Sequence, residues 1–246
     1  MVVGNNVVIH VFPSCLYTLI GQGSITETLI SFFKFGSPAD EILSLASDYD
    51  LVVVGAHGKY ERKQPGLGPV SNRVVQSART SVIVGRDLLN ETNYRVLVAL
   101  DGSDASFNAL RGLNTYFDIS SLDVTLMHVL ETPWARLDQG SWENHEAEAS
   151  AELPGYEREL ERELRRDAEA IIERGVLQLE EWRTSGATIM GEGDAALELT
   201  SNIEEGNYDL VAVGATGSSG MRHALLGSVS LKLAWNSPCS VIVVRT

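Results

Sequence analysis

Two ten-residue stretches of this chain are near-copies of each other: YDLVVVGAHG at Tyr49–Gly58 and YDLVAVGATG at Tyr208–Gly217. Each is followed ten residues later by another glycine, Gly68 or Gly227. A helical stretch comes next, and then a short apolar run that closes as SVIVGR (Ser81–Arg86) or SVIVVR (Ser240–Arg245). Self-similarity of this kind means that one supersecondary unit is used twice. With a boundary in the polar stretch Asp87–Asn93, the chain divides into units at residues 1–88 and 93–246.

The second unit alternates between strand and helix patterns. Arg95–Leu100, Val124–Val129, Ala187–Met190, Leu210–Gly214 and Val241–Val244 read as strands. They are short apolar runs with β-branched residues rather than strict alternations, which points to a parallel sheet covered on both faces. Helices are expected at Asp104–Phe117, Asp194–Glu205 and Gly227–Trp235. A longer one is expected at Tyr156–Trp182, where Leu160, Leu164, Ala168, Ile171, Gly175 and Leu179 recur every three or four residues.

The first unit is shorter. Asn6–Phe12 (NVVIHVF) matches the second strand of the full unit, VTLMHVL. Leu29–Phe35 would be its third strand, Pro38–Ser47 a helix and Leu51–Gly55 its fourth strand. No counterpart of the first strand and helix precedes Asn6, so the first unit reads as an incomplete copy.

Charge limits the partners. Lys and Arg number 19 against 33 Asp and Glu, a net charge of -14 with only four lysines. Such a surface repels a phosphate backbone, so nucleic acid is not expected as a partner; no apolar run approaches the ~18 residues that span a bilayer, so no membrane is expected either. Glu131–Glu181 alone holds 15 acidic residues and six arginines, which reads as a solvated outer helix with an acidic lead-in at Pro133–Leu153. Cys15 and Cys239 are far apart and form no metal-ligand pattern, so a reducing cytoplasm is the expected compartment.

The chemistry gathers at strand ends. Gly214 and Gly217 follow a buried strand, and Gly227, Ser228, Val229 and Ser230 open the last helix. Glycines there let backbone approach a ligand, and the first amides of a helix are unpaired donors suited to an anion. The alternative is that the glycines make turns and the serines cap the helix. Asp101, in VALDGS, can accept hydrogen bonds from an adenine amino group or a ribose hydroxyl, or can belong to an ordinary turn that Ser103 caps. Val129 offers backbone groups to a base or is plain core.

VALDGS followed by G-x2-G-x9-G-S resembles the nucleotide-binding pattern of the universal stress protein family, in its ATP-binding branch. The resemblance covers Tyr94–Thr246 and, as an incomplete copy, Asn6 to about Arg86. It implies an α/β, Rossmann-like (adenine nucleotide alpha hydrolase-like) fold with a parallel five-stranded sheet of order 3-2-1-4-5 in each complete repeat. ATP, alone or with Mg2+, would lie where strands one and four diverge. Asp101 and Val129 would meet adenine, Gly214 and Gly217 the ribose and phosphate side, and Gly227, Ser228 and Val229 the phosphates. The two SVIV strands would pair within one chain as an intramolecular pseudo-dimer, with a homodimer as a further option.

The first copy departs from this pattern. Pro69 stands where Ser228 stands in the second copy, which removes a hydroxyl and an N–H together, and no strand carries a counterpart of Asp101. Its missing central strand leaves three options: strands two and four pair directly, another segment fills the gap, or residues upstream supply it. The function expected from the resemblance is a regulatory stress-response protein that uses ATP occupancy as a signal. The alternatives are a slow ATPase or adenylate-handling enzyme, for which only Arg222, His223, Ser218 and Ser219 are at hand in the loop, and a dimerisation module that binds nothing.

Overall fold

The computed structural model describes residues 9–11, 35–57, 66–86, 94–131, 155–217 and 226–245. In the first unit these form strand β1 (Ile9–Val11), helix α1 (Pro38–Ala46), strand β2 (Leu51–Gly55), helix α2 (Pro69–Ser77) and strand β3 (Ser81–Gly85). The second unit contributes β4 (Tyr94–Ala99), α3 (Asp104–Tyr116), β5 (Leu122–Leu130), α4 (Gly155–Glu181) and β6 (Gly186–Glu192). It continues with α5 (Ala195–Gly206), β7 (Leu210–Gly214), α6 (Ser228–Asn236) and β8 (Ser240–Val244).

Local chemistry sets these boundaries. Ser103 caps α3 by accepting from the Ser106 N–H at 3.2 Å, and Asp194 caps α5 by accepting from Ala196 and Leu197 at 2.9 and 3.0 Å. Asn207 closes α5 in the left-handed conformation, φ 49°. Pro69 starts α2 at a position where a missing N–H costs nothing.

The described strands form one eight-stranded sheet in the order β1-β2-β3-β8-β7-β4-β5-β6. Neighbours are parallel within each unit. The second unit therefore has the expected five-stranded parallel sheet, with its own strands in the order 3-2-1-4-5. At the seam between units β3 and β8 run antiparallel, with Val82 opposite Val243, Ile83 opposite Ile242 and Val84 opposite Val241.

In the first unit β1 lies directly beside β2, with Ile9 opposite Val52 and Val11 opposite Val54. Of the three options for the missing central strand, the direct pairing of strands two and four is the observed one. It supplies the hydrogen bonds that a buried strand edge requires. Most of the expected third strand, Leu29–Phe35, lies outside the described residues; Phe35 itself is fully exposed and not in a strand. The acidic lead-in Pro133–Leu153 also lies outside them.

Alternation along the strands feeds two cores, one on each face of the sheet. One core runs through both units, joining Val52, Val54, Val82 and Val84 to Val211, Val213, Val241 and Val243 beneath α1, α2, α5 and α6. The other gathers Val53, Ile83, Ile242 and Val244 with Phe107, Leu110 and Leu113 of α3 and Leu179 of α4.

Arginines bind the units reciprocally. Arg86, just after β3, donates to the carbonyls of Ala234 (2.7 Å) and Trp235 (3.3 Å) at the end of α6. Arg245, just after β8, donates to the Val75 carbonyl (2.5 Å) near the end of α2. Neither helix has a basic residue in its own last turn, so each receives its C-terminal cation from the other unit. Burial lowers the pKa of both guanidinium groups.

Candidate functional site

In the second unit the strand order reverses at β4, whose neighbours are β5 and β7. Beyond the carboxyl ends of these strands opens a cavity of about 490 Å³. That volume falls within the roughly 300–1,000 Å³ usual for small-molecule sites. All eight residues expected from the sequence line it: Asp101, Val129, Gly214, Gly217, Gly227, Ser228, Val229 and Ser230.

The glycines serve different ends. At Gly214 a Cβ would stand 2.6 Å from the backbone of Ala105, so this glycine exists to let α3 pack on β7. At Gly217 a Cβ would come 3.0 Å from Asp101 Oδ2, which puts the Asp101 carboxylate across the crevice from this turn. At Gly227 φ is -59°, and a Cβ would meet nothing nearer than 3.5 Å. Among the described residues, neither backbone strain nor packing calls for glycine there. A Cβ at Gly227 would occupy space in the cavity.

The first turn of α6 differs in one respect from expectation. The Gly227 N–H is not an unpaired donor, because it donates to the Ala215 carbonyl at 2.7 Å and so closes the loop onto the strand end. In the first unit Gly68 does the same with Ala56, at 2.8 Å. The amides that α6 presents at its N-terminus are therefore those of Ser228 and Val229, one residue further along. Ser230 is also partly committed: its hydroxyl donates to the Gly214 carbonyl at 2.6 Å. Ser71 makes the same bond to Gly55, at 2.5 Å, in the first unit, which contributes nothing to the lining of the described cavity. This bond is a strut of the fold.

Asp101 belongs to the turn that Ser103 caps and also lies at the cavity. Its Oδ1 accepts from the Ser103 N–H (3.0 Å) and hydroxyl (2.5 Å), which shapes the turn into α3, while the exposed carboxylate still borders the cavity. Val129 is placed by strand geometry. The Leu100 N–H donates to the Met127 carbonyl, and the Gly193 N–H donates to the Leu130 carbonyl on the other side of β5. Residues alternate in the side toward which they bond along a parallel strand, so Val129 aims its N–H and C=O toward the space beyond the end of β4.

Sequence reasoning missed the contribution of α4. Leu164, Asp167 and Ile171 line the cavity, and the helix thereby closes one side of it. Leu164 and Ile171 were legible only as part of a core stripe, but Asp167 follows Leu164 by three and precedes Ile171 by four, a spacing that puts all three on one helix face. His128 and Glu131, at the end of β5, line the cavity too, and His128 Nδ1–H donates to the Leu100 carbonyl at 2.7 Å. The charged side chains that line the cavity among the described residues are the carboxylates of Asp101, Glu131 and Asp167. An anion bound here would be held by backbone amides and the helix dipole. Ser218, Ser219, Arg222 and His223 lie outside the described residues. No cluster of three or more His, Cys, Asp or Glu capable of holding a metal occurs among the described residues. No described helix is long and apolar enough to cross a membrane.

In the first unit β1 occupies the place beside β2 that corresponds to the crevice, and every residue that lines the described cavity belongs to the second unit.

Comparison with known proteins agrees with this architecture. The family model described as "Universal stress protein family" matches residues 24–86 and 93–245. A universal stress protein of Methanocaldococcus jannaschii is 28% identical over 153 residues, covering 61% of this chain and 81% of that protein. The universal stress protein YxiE of Bacillus subtilis is 27% identical over 151 residues, covering 61% of this chain and 98% of its own length. Among solved structures, a universal stress protein from Archaeoglobus fulgidus superposes with a TM-score of 0.57 at 21% identity, over 88% of this chain and 70% of that one. That likeness is one of fold.

Proposed function

The chain belongs to the universal stress protein family, and we propose that its second repeat is a single-site ATP receptor whose occupancy is the signal the protein transmits. Family membership supports a role in the stress response. The observation that carries the nucleotide reading is Gly227. It is a glycine that neither conformation nor packing requires, at the mouth of a helix, facing a cavity of nucleotide size. A phosphate seated there would use the room that a side chain would otherwise fill.

In this reading the Ser228 and Val229 amides and the Ser228 hydroxyl hold the phosphates. Val129 presents backbone donor and acceptor to the base. Asp101, across from Gly217, accepts from the ribose hydroxyls or the adenine amino group. The three carboxylates stand with the neutral part of the ligand, since beside the phosphates they would repel. Mg2+ would arrive with the nucleotide. The protein acts in the cytoplasm, as a pseudo-dimer of its two repeats.

The test is calorimetry of ATP on the full chain, with chromatography of the small molecules that heat releases from the purified protein. Saturable ATP binding, or recovered ATP or ADP, supports the reading. Flat calorimetry at millimolar ATP overturns it. The nucleotide ratio after incubation with Mg2+ separates a receptor from a slow ATPase.

A further inference from the structure

The helix that opens onto the cavity at its N-terminus is held at its other end by the first repeat. α6 has nine residues and is therefore about 13 Å long, short enough to move as a rod. Its near end is tied within the second repeat by Ser230 to Gly214 and by Lys232 Nζ to Asp194 Oδ2 at 3.3 Å. Its last turn, where the carbonyls lack helical partners, is met by Arg86. That guanidinium donates to Ala234 (2.7 Å), Trp235 (3.3 Å) and Cys239 (3.4 Å), while the Arg86 N–H donates to Ser240 Oγ at 2.9 Å. Two further contacts come from the same side. Trp235 Nε1–H donates to Asn72 Oδ1 at 3.1 Å. Gly66, at φ +95°, lies so close to the Trp235 ring that a Cβ there would be 2.6 Å from it.

We propose that Arg86 is a positioning residue for the nucleotide cradle: the first repeat, which contributes no residue to the lining of the described cavity, fixes the axis of α6 and so aims the Ser228 and Val229 amides. The inference rests on the nucleotide reading above and adds a role for the first repeat. The molecule contains its own control. Arg245 makes the corresponding contact with the Val75 carbonyl near the end of α2, a helix that begins at Pro69 and contributes no residue to the described cavity. Arg86 and Arg245 hold corresponding places in the two repeats, Arg86 with three carbonyl partners and Arg245 with Val75, and Arg86 is the one whose helix opens onto the described cavity.

Full-length R86M, R86K and R245M are compared with the parent by ATP calorimetry, melting temperature and amide hydrogen exchange. The Leu231 N–H, which donates to Gly227 O at 2.8 Å, reports the first turn of α6. R86M is expected to raise the ATP Kd about tenfold, within the ~5–150-fold usual for coupling between sites. It is also expected to speed Leu231 exchange before any ligand is added. R86K, which keeps the charge but not the fork, falls between R86M and the parent. R245M lowers the melting temperature but leaves both the Kd and Leu231 exchange at parental values. Equal effects of R86M and R245M on Kd and exchange, or an R86M protein with parental Kd and exchange, overturn the proposal. If the parent binds no ATP, the nucleotide reading has failed; the exchange comparison then still decides whether Arg86 sets the first turn of α6.

Discussion

Two glycines thirteen residues apart in the sequence look alike on paper and do opposite work. Gly214 makes room for the backbone of Ala105, and Gly227 makes room for nothing in the protein. The G214A variant should lose about 1–3 kcal/mol of stability from overpacking. The G227A variant should melt like the parent and lose ATP affinity by roughly ten- to hundredfold, the same 1–3 kcal/mol now charged to the complex. Denaturant titration beside calorimetry separates the two. Cys239 gives a pH prediction. Burial pushes its thiol from 9.0 up to about 11, so the folded state disfavours the thiolate. Its contribution to stability is complete below pH 9 and is lost as pH rises toward about 11, where the unfolded chain gains more from ionising. Peptide mapping after alkylation at pH 8 should find Cys239 protected in the native protein and modified only after unfolding.

At the scale of elements, most strands and helices could be read from the sequence because buried parallel strands are unbroken apolar runs and the glycine spacing repeats. Leu51–Gly55 and Leu210–Gly214 match their strands residue for residue. Ala187–Met190 was legible as a strand but too short, because β6 at the sheet edge is largely exposed and its ends carry no apolar signal. Pairing was not legible in the first repeat: that β1 docks straight onto β2 depends on which edge is free, a property of the assembled sheet. Nor does any pattern reveal that the Gly227 N–H is consumed by Ala215, since a glycine that donates and one that waits for a ligand have the same letter. The direct β1–β2 contact removes the divergence of strands that makes a crevice. ATP should therefore titrate with one site per chain, and a fitted stoichiometry near two would count against this account.

Across the whole molecule, both cores pass from the first repeat to the second through β3 and β8. The two repeats should therefore melt together, with calorimetric and van't Hoff enthalpies in agreement. Ile83 is 2% exposed and faces Ile242 at the centre of the seam. An I83K substitution, which buries an unpaired charge, should cost about 3–5 kcal/mol and split the transition in two. Scanning calorimetry reads both outcomes.

The seam also has an evolutionary consequence. Where two identical subunits meet, every mutation strikes both at once, and dilution can part them. Here the halves share a covalent tether, so their meeting is unimolecular and indifferent to protein concentration. Each half can then drift alone, so that substitutions on one side of the seam need not be matched on the other.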